Sequence, residues 1–296
     1  MRTPVVRLPV DAPATIHLKL ETLQPIGSFK IRGAYNAALT SPRDLVATGL
    51  VTASAGNMAQ GVAYAARELG VPATIAVPDT APQTKLAAIE RLGGRAVKVP
   101  FDEWWRVMEE HHFDGVEGLF IHPVENDGVM AGNGTIGLEL VEDLLDLDTV
   151  VVPVGGGGLL VGIASAVKQL RPHVRVVAAQ PETAAPLAVA MERGEPAEID
   201  YRPTWIDGAG AKVILRGMWP LLQEVVDDVA VVTLDEVADA VRILAERVRV
   251  IAEGAGALSV AAALTGRAGA GNVACIVSGG NIDAAVLCRI LAGETP

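Results

Sequence analysis

The 296-residue chain is half apolar and carries a formal net charge of -11, which allows one large core or two smaller ones and excludes a general nucleic-acid or acidic-membrane surface. Glycine, proline or charge interrupts every apolar run before the roughly eighteen residues of a membrane span. The opening MRTPVVRLPV lacks the apolar core and cleavage site of a signal peptide, so a cytoplasmic location is expected.

Taken from the N-terminus, Ala14 to Leu20 is the first expected strand. The string Gly27-Ser28-Phe29-Lys30-Ile31-Arg32-Gly33 follows, and the spacing of Ile31, Ala34, Tyr35 and Ala38 predicts a helix with Ser28 as its N-cap. Lys30 and Arg32 then share the first helical turn, where the helix dipole disfavours cations. A cationic setting lowers a lysine pKa, as an amine nucleophile requires; a solvated lysine paired with a carboxylate is the plain alternative. Leu50 to Ala53 is the next strand, and Ser54-Ala55-Gly56-Asn57-Met58 leads into a helix over Ala59 to Leu69. Ser54 or Asn57 is a candidate cap, and amides at this helix start suit a carboxylate. Strands over Ala73 to Val77 and Ala96 to Val99 flank a helix over Gln83 to Leu92.

A helix over Thr135 to Leu145 precedes the strand Thr149 to Val154. Gly155-Gly156-Gly157-Gly158 and a helix over Leu159 to Leu170 come next, the strongest local signal for a phosphate cradle. It is neither a P-loop, since no Lys-Ser/Thr pair follows, nor a dinucleotide fingerprint, since the sixth position is Leu160 or Val161. A strand over Val174 to Ala179, a helix over Leu234 to Val250 and a strand over Val273 to Val277 complete the pattern. Ser278-Gly279-Gly280-Asn281 directly follows that last strand, where a hydroxyl suits a cleft ligand or a tight turn. Apolar strands without polar alternation, separated by helices, indicate an α/β fold with mostly parallel sheets and helices on both faces. Residues 48–122 form a compact β-α-β-α-β block, expected as a small domain inserted into a large one made of 1–47 and 123–296. Cys275 and Cys288 read as buried free thiols. His111 and His112 have no metal-ligand spacing, so no zinc site is expected.

Together these segments resemble the fold-type II pyridoxal-phosphate family (tryptophan synthase β-like). The most similar branch is that of threonine/serine dehydratases and serine racemases. Further matching pieces are Leu18-Lys19-Leu20-Glu21, Ala81-Pro82-Gln83-Thr84-Lys85 and Gly132-Asn133-Gly134-Thr135, in the family's order. The resemblance implies two domains with pyridoxal 5'-phosphate in the cleft between them, the small one able to swing closed. It implies that Lys30 forms a Schiff base with the cofactor and acts as base at the substrate Cα. Phe29, Asn57, Gly155, Gly156, Gly157, Gly158 and Ser278 are the implied cofactor contacts, with the glycines on the phosphate, Asn57 on the ring 3-oxygen and Ser278 at the pyridine nitrogen. Ser54, Ala55, Gly56, Asn57 and Met58 are the implied loop for the substrate carboxylate. A homodimer acting on a small amino acid is the implied state.

Four departures sharpen the expectation. Ala55 stands where racemases of this branch place a second Ser, so racemisation should be weak, because it needs an acid/base on each face of Cα. Met58 replaces a usual His, which points to altered carboxylate contacts or substrate size. Asn133 replaces a usual Gln. Gln180-Pro181-Glu182-Thr183-Ala184-Ala185-Pro186 lacks acids at the positions of a divalent-cation site, so neither Mg²⁺ nor Ca²⁺ is expected there. The short stretch after Ser278 implies no C-terminal regulatory domain. The leading expectation is a lyase that converts threonine or serine to a 2-oxo acid and ammonia. Racemisation, β-replacement and β-hydroxyaspartate dehydration are rivals on the same scaffold. A nicotinamide oxidoreductase and a non-catalytic binding protein are rivals of other classes.

Overall fold

In the computed structural model, which describes residues 1–296, the Val-, Ile- and Ala-rich runs become strands. In chain order they are β1 Val5–Arg7, β2 Ala14–Leu20, β3 Leu50–Ala53, β4 Ala73–Pro78, β5 Arg95–Val99, β6 Leu119–Phe120, β7 Thr149–Pro153, β8 Arg175–Pro181, β9 Asp228–Val232 and β10 Gly271–Val277. The chain divides into two compact units, Met1–Ser28 with Gly134–Pro296, and Phe29–Asn133.

The first unit holds a six-stranded sheet in the order β1-β2-β10-β7-β8-β9. Only β1 runs antiparallel to its neighbour. The helix Gly254–Leu264 is buried along nearly its whole length. It is apolar all round, so no polar face draws it to the surface. Because β10 lies between β2 and β7 and all three are parallel, the segments after Leu20, Pro153 and Val277 leave the sheet together at the carboxyl ends of the strands. Ligands of open parallel sheets bind outside those ends.

The second unit holds a parallel sheet in the order β5-β4-β3-β6. The helix Lys30–Thr40 belongs to this unit, which is therefore longer at both ends than the expected block 48–122. The reason is a close helix crossing: a Cβ on Gly61, in the helix Asn57–Leu69, would lie 3.1 Å from the Lys30 carbonyl oxygen. The helix Asp127–Asp143 starts eight residues before the expected Thr135. Asn126 Oδ1 accepts from Val129 N–H at 2.9 Å and fixes that start. Gly132 permits its packing, since a Cβ there would sit 2.3 Å from the Arg32 carbonyl oxygen.

Two other expectations are corrected. Ser28 is not the N-cap of the helix Lys30–Thr40; Phe29, already in helical conformation, takes that position without a side-chain cap bond. The expected helix over Leu234 to Val250 ends as an α-helix at Ile243 and closes in a π turn, Leu244–Val248, with Arg249 left-handed at φ 61°. Both cysteines are free, but Cys288 is exposed. Burial pushes the Cys275 thiol well above its ordinary pKa, which makes it an inert core residue. No helix is long and apolar enough to cross a membrane.

Candidate active site

In the first unit, the end of β7 feeds the glycine loop. Gly157 has φ +98°, a left-handed conformation that side chains rarely adopt. A Cβ at Gly157 would also lie 3.1 Å from Leu222 Cδ1, and one at Gly155 would lie 3.2 Å from Ala209 Cα. Thirteen helical residues, Gly158–Leu170, follow directly. A bare backbone turn aimed at the positive end of a helix suits a phosphate. Gly157→Ala is expected to destabilise the fold by about 1–2 kcal/mol, the cost of a side chain in the left-handed region. Urea unfolding checks this, and an unchanged midpoint contradicts it.

Ser278 follows β10 and is 3% exposed. Its neighbours tie back to the start of the first motif. Gly280 N–H donates to the Gly27 carbonyl at 2.9 Å, Asn281 Nδ2 donates to the Ile26 carbonyl at 2.9 Å, and Ser28 forms a β-bridge with Gly279. The 26–28 and 279–281 stretches are thus joined into one structure. The Ser28 hydroxyl is fully buried and has no hydrogen-bond partner within the protein. A buried hydroxyl left so costs about 1–3 kcal/mol.

One feature of this unit lies outside the sequence expectations. Glu253, buried, stands at the N-cap of the helix Gly254–Leu264, and its N–H donates to the Gly279 carbonyl at 3.0 Å. A Cβ on Gly279 would meet Glu253 Oε1 at 2.4 Å, so the Ser278–Gly279 turn and this carboxylate are packed together. The signal was a lone acid before a wholly apolar run. Gln180 is fully buried, and its amide donates to the Val154 carbonyl at 3.3 Å, next to Gly155. Its Oε1 accepts from Leu187 and Ala188 N–H at 3.0 and 3.2 Å. Gln180 thus makes its side-chain hydrogen bonds to backbone groups on both sides of its strand end.

In the second unit, Lys30 begins the helix Lys30–Thr40, so the expected first-turn placement holds for it and Arg32. Its ammonium nitrogen lies 5.2 Å from the centre of the Phe29 ring and donates to the Pro123 carbonyl at 2.9 Å. The Ser54–Asn57 turn leaves the end of β3, and the 121–125 segment leaves the end of the adjacent β6. Gly56, rather than Ser54 or Asn57, caps the helix Asn57–Leu69. Ser54 Oγ instead accepts from Gly56 N–H at 3.1 Å and holds the turn. Ala55 is half-buried beside the core. Met58, expected to shape substrate contacts, is 2% exposed and packed in the apolar core. The helical period that turns Ala59, Val62, Ala63, Ala65 and Ala66 inward turns Met58 inward too, so only its main chain can face a substrate.

The fold also gathers His111, His122 and Glu125, whose ligand atoms lie within 4.8 Å of one another. The spacing of His111 gave no sign of this grouping. His122 Nδ1, however, already accepts two backbone N–H groups, from Val124 at 3.1 Å and Glu125 at 2.7 Å. The ring proton is therefore on Nε2, and neither nitrogen presents a lone pair to a metal. Burial, then His111 and Lys30, lower the His122 pKa to about 3, so the ring stays neutral.

A family model described as pyridoxal-phosphate dependent enzyme matches residues 1–279. The chain belongs to this family. An L-threonine ammonia-lyase of Thermotoga maritima is 42% identical to this pyridoxal-phosphate dependent enzyme over 283 residues, 93% of this chain and 69% of that one. A solved threonine deaminase isoform 2 from Solanum lycopersicum shares 32% identity at a TM-score of 0.90, covering 99% of this chain and 89% of that one. Maize serine racemase shares 32% identity at 0.88, covering 99% and 92%. The pyridoxal-phosphate enzyme thus has the α/β, mostly parallel fold expected of it, and within the first unit the bare glycine turn ahead of a helix start suits a phosphate group.

Proposed function

We propose that this enzyme deaminates a small β-hydroxy amino acid, threonine or serine, by dehydration, releasing a 2-oxo acid and ammonia. The observation that carries the reading is the Lys30 amine, held in the first helical turn by the Pro123 carbonyl. The names of the threonine ammonia-lyase and threonine deaminase relatives supply the substrate class.

In this reading Lys30 anchors the cofactor through its amine and later takes the proton from the substrate Cα. Gly155 to Gly158 hold the phosphate, Phe29 lines the cofactor, and Asn57 binds the ring oxygen. The Ser54–Met58 turn holds the substrate carboxylate through its main chain and the Ser54 and Asn57 side chains. When bound, pyridoxal phosphate supplies the electron sink for charge released at Cα. Ser278, a neutral hydroxyl, faces the ring nitrogen without forcing its protonation, which favours prompt departure of the β-hydroxyl.

The serine racemase neighbour motivates a second reading, but Ala55 leaves one face of Cα without an acid/base. L-Serine is therefore expected to give 2-oxo acid at least about ten times faster than D-serine. A panel of amino acids, with 2-oxo-acid detection and chiral chromatography, separates the readings; racemisation as the faster process overturns this one. A homodimer is the proposed assembly, since closed two-fold symmetry is the commonest. A cytoplasmic location is proposed on the two free thiols.

A further inference from the structure

His122 lies at the end of β6, is 4% exposed, and has no part in the reaction proposed above. Three observations within the second unit give it one. Its Nδ1 accepts from the N–H groups of Val124 and Glu125 at 3.1 and 2.7 Å, so a single ring nitrogen closes the turn 122–125. The residue inside that turn is Pro123, whose ring fixes φ and which has no N–H with which to anchor itself. The Pro123 carbonyl in turn accepts from Lys30 Nζ at 2.9 Å. The ring is further held by stacking on His111, 4.5 Å between centres, and His111 stacks on Phe120 at 5.8 Å.

We propose that His122 is a positioning residue for Lys30: its imidazole fixes the turn that aims the Pro123 carbonyl, and that carbonyl sets the direction of the Lys30 amine. A fixed carbonyl acceptor at 2.9 Å restricts the positions open to the Lys30 amine, which would hold it in place when the cofactor binds. The role requires a neutral ring. A proton on Nδ1 would face two N–H donors, and the turn would open. It also explains why a titratable side chain is buried without touching the reacting atoms. The inference rests on Lys30 being the cofactor-bearing base.

The test uses His122→Leu, His122→Asn and the unsubstituted protein. Leucine fills the space and accepts nothing. Asparagine supplies a side-chain oxygen to the N–H two residues on, the Asx turn. His122→Leu is expected to lower kcat about 10- to 100-fold with KM little changed, the effect of a small misplacement of a reacting group. The rate at which the apoprotein captures added pyridoxal phosphate, read by absorbance, should fall in parallel. His122→Asn should keep both within about threefold. In the unsubstituted protein, nitrogen NMR should find Nδ1 unprotonated, a result that does not depend on activity.

A folded His122→Leu with normal kcat and normal capture overturns the proposal. So does a proton on Nδ1, or a folded His122→Asn as impaired as the leucine variant. Should the leucine variant fail to fold, the asparagine variant and the NMR measurement decide. Full activity in Lys30→Ala would instead sink the functional reading, which keeps the two failures apart.

Discussion

Lys30→Ala is expected to lower turnover of threonine and serine by about 10⁴-fold, the upper range for loss of a positioned acid/base. The loss should appear in kcat and kcat/KM together, as removal of a group that acts in the transition state requires. Folding should survive. The Lys30 side chain is half-buried, and its backbone, which meets Gly61 in the helix crossing, is unaltered. The variant should therefore unfold in urea near the unsubstituted midpoint while 2-oxo-acid production falls to background. Activity retained at a tenth or more would remove Lys30 from the mechanism.

The second large effect is acid destabilisation through His122. The folded pKa is about 3, against 6.5 in the unfolded chain, with burial the main cause and His111 and Lys30 adding repulsion. Below 6.5 the unfolded chain binds a proton that the folded protein refuses, so this contribution is complete above pH 6.5. It is lost as pH falls towards 3, at about 1.4 kcal/mol per unit. By pH 4 the loss is roughly 3 kcal/mol, a large share of the about 5–15 kcal/mol typical of a domain. Urea unfolding at pH 7 and pH 4 should show His122→Asn losing roughly 3 kcal/mol less than the unsubstituted protein. Equal losses would mean that His122 titrates normally. Carboxylates elsewhere titrate in both proteins and cancel in the comparison.

The sequence made the buried strands legible because a parallel sheet covered on both faces needs unbroken apolar runs. β2 and β3 begin and end where they were expected. β1, β6 and β9 escaped because they are short or begin on a charged residue, and their pairing comes from neighbours in the sheet. The helix Asp127–Asp143 was read late because Gly128, Gly132 and Gly134 weaken its intrinsic propensity. Two of those glycines are there for tertiary reasons, since a Cβ at Gly128 or Gly132 would strike the helix Lys30–Thr40.

Within the candidate site, the glycine loop and Ser278 were legible because each follows a strong strand. That Ser28 joins Gly279 was not legible, since 251 positions separate them and only the β2–β10 pairing brings their ends together. The position of Met58 in the motif says nothing of its direction: it lies in the first turn of the helix Asn57–Leu69, where helical periodicity turns its side chain into the core. His122 gave no signal, because its partners are backbone amides two and three residues on and no residue type marks them.

The proposed attachment of the cofactor to Lys30 is tested by adding pyridoxal phosphate, reducing with borohydride, digesting, and locating the modified peptide by mass spectrometry. A single stable cofactor adduct on the peptide containing Lys30 is expected. An adduct on Lys19, Lys85 or another lysine, or none on a protein that still forms the 2-oxo acid, would contradict it.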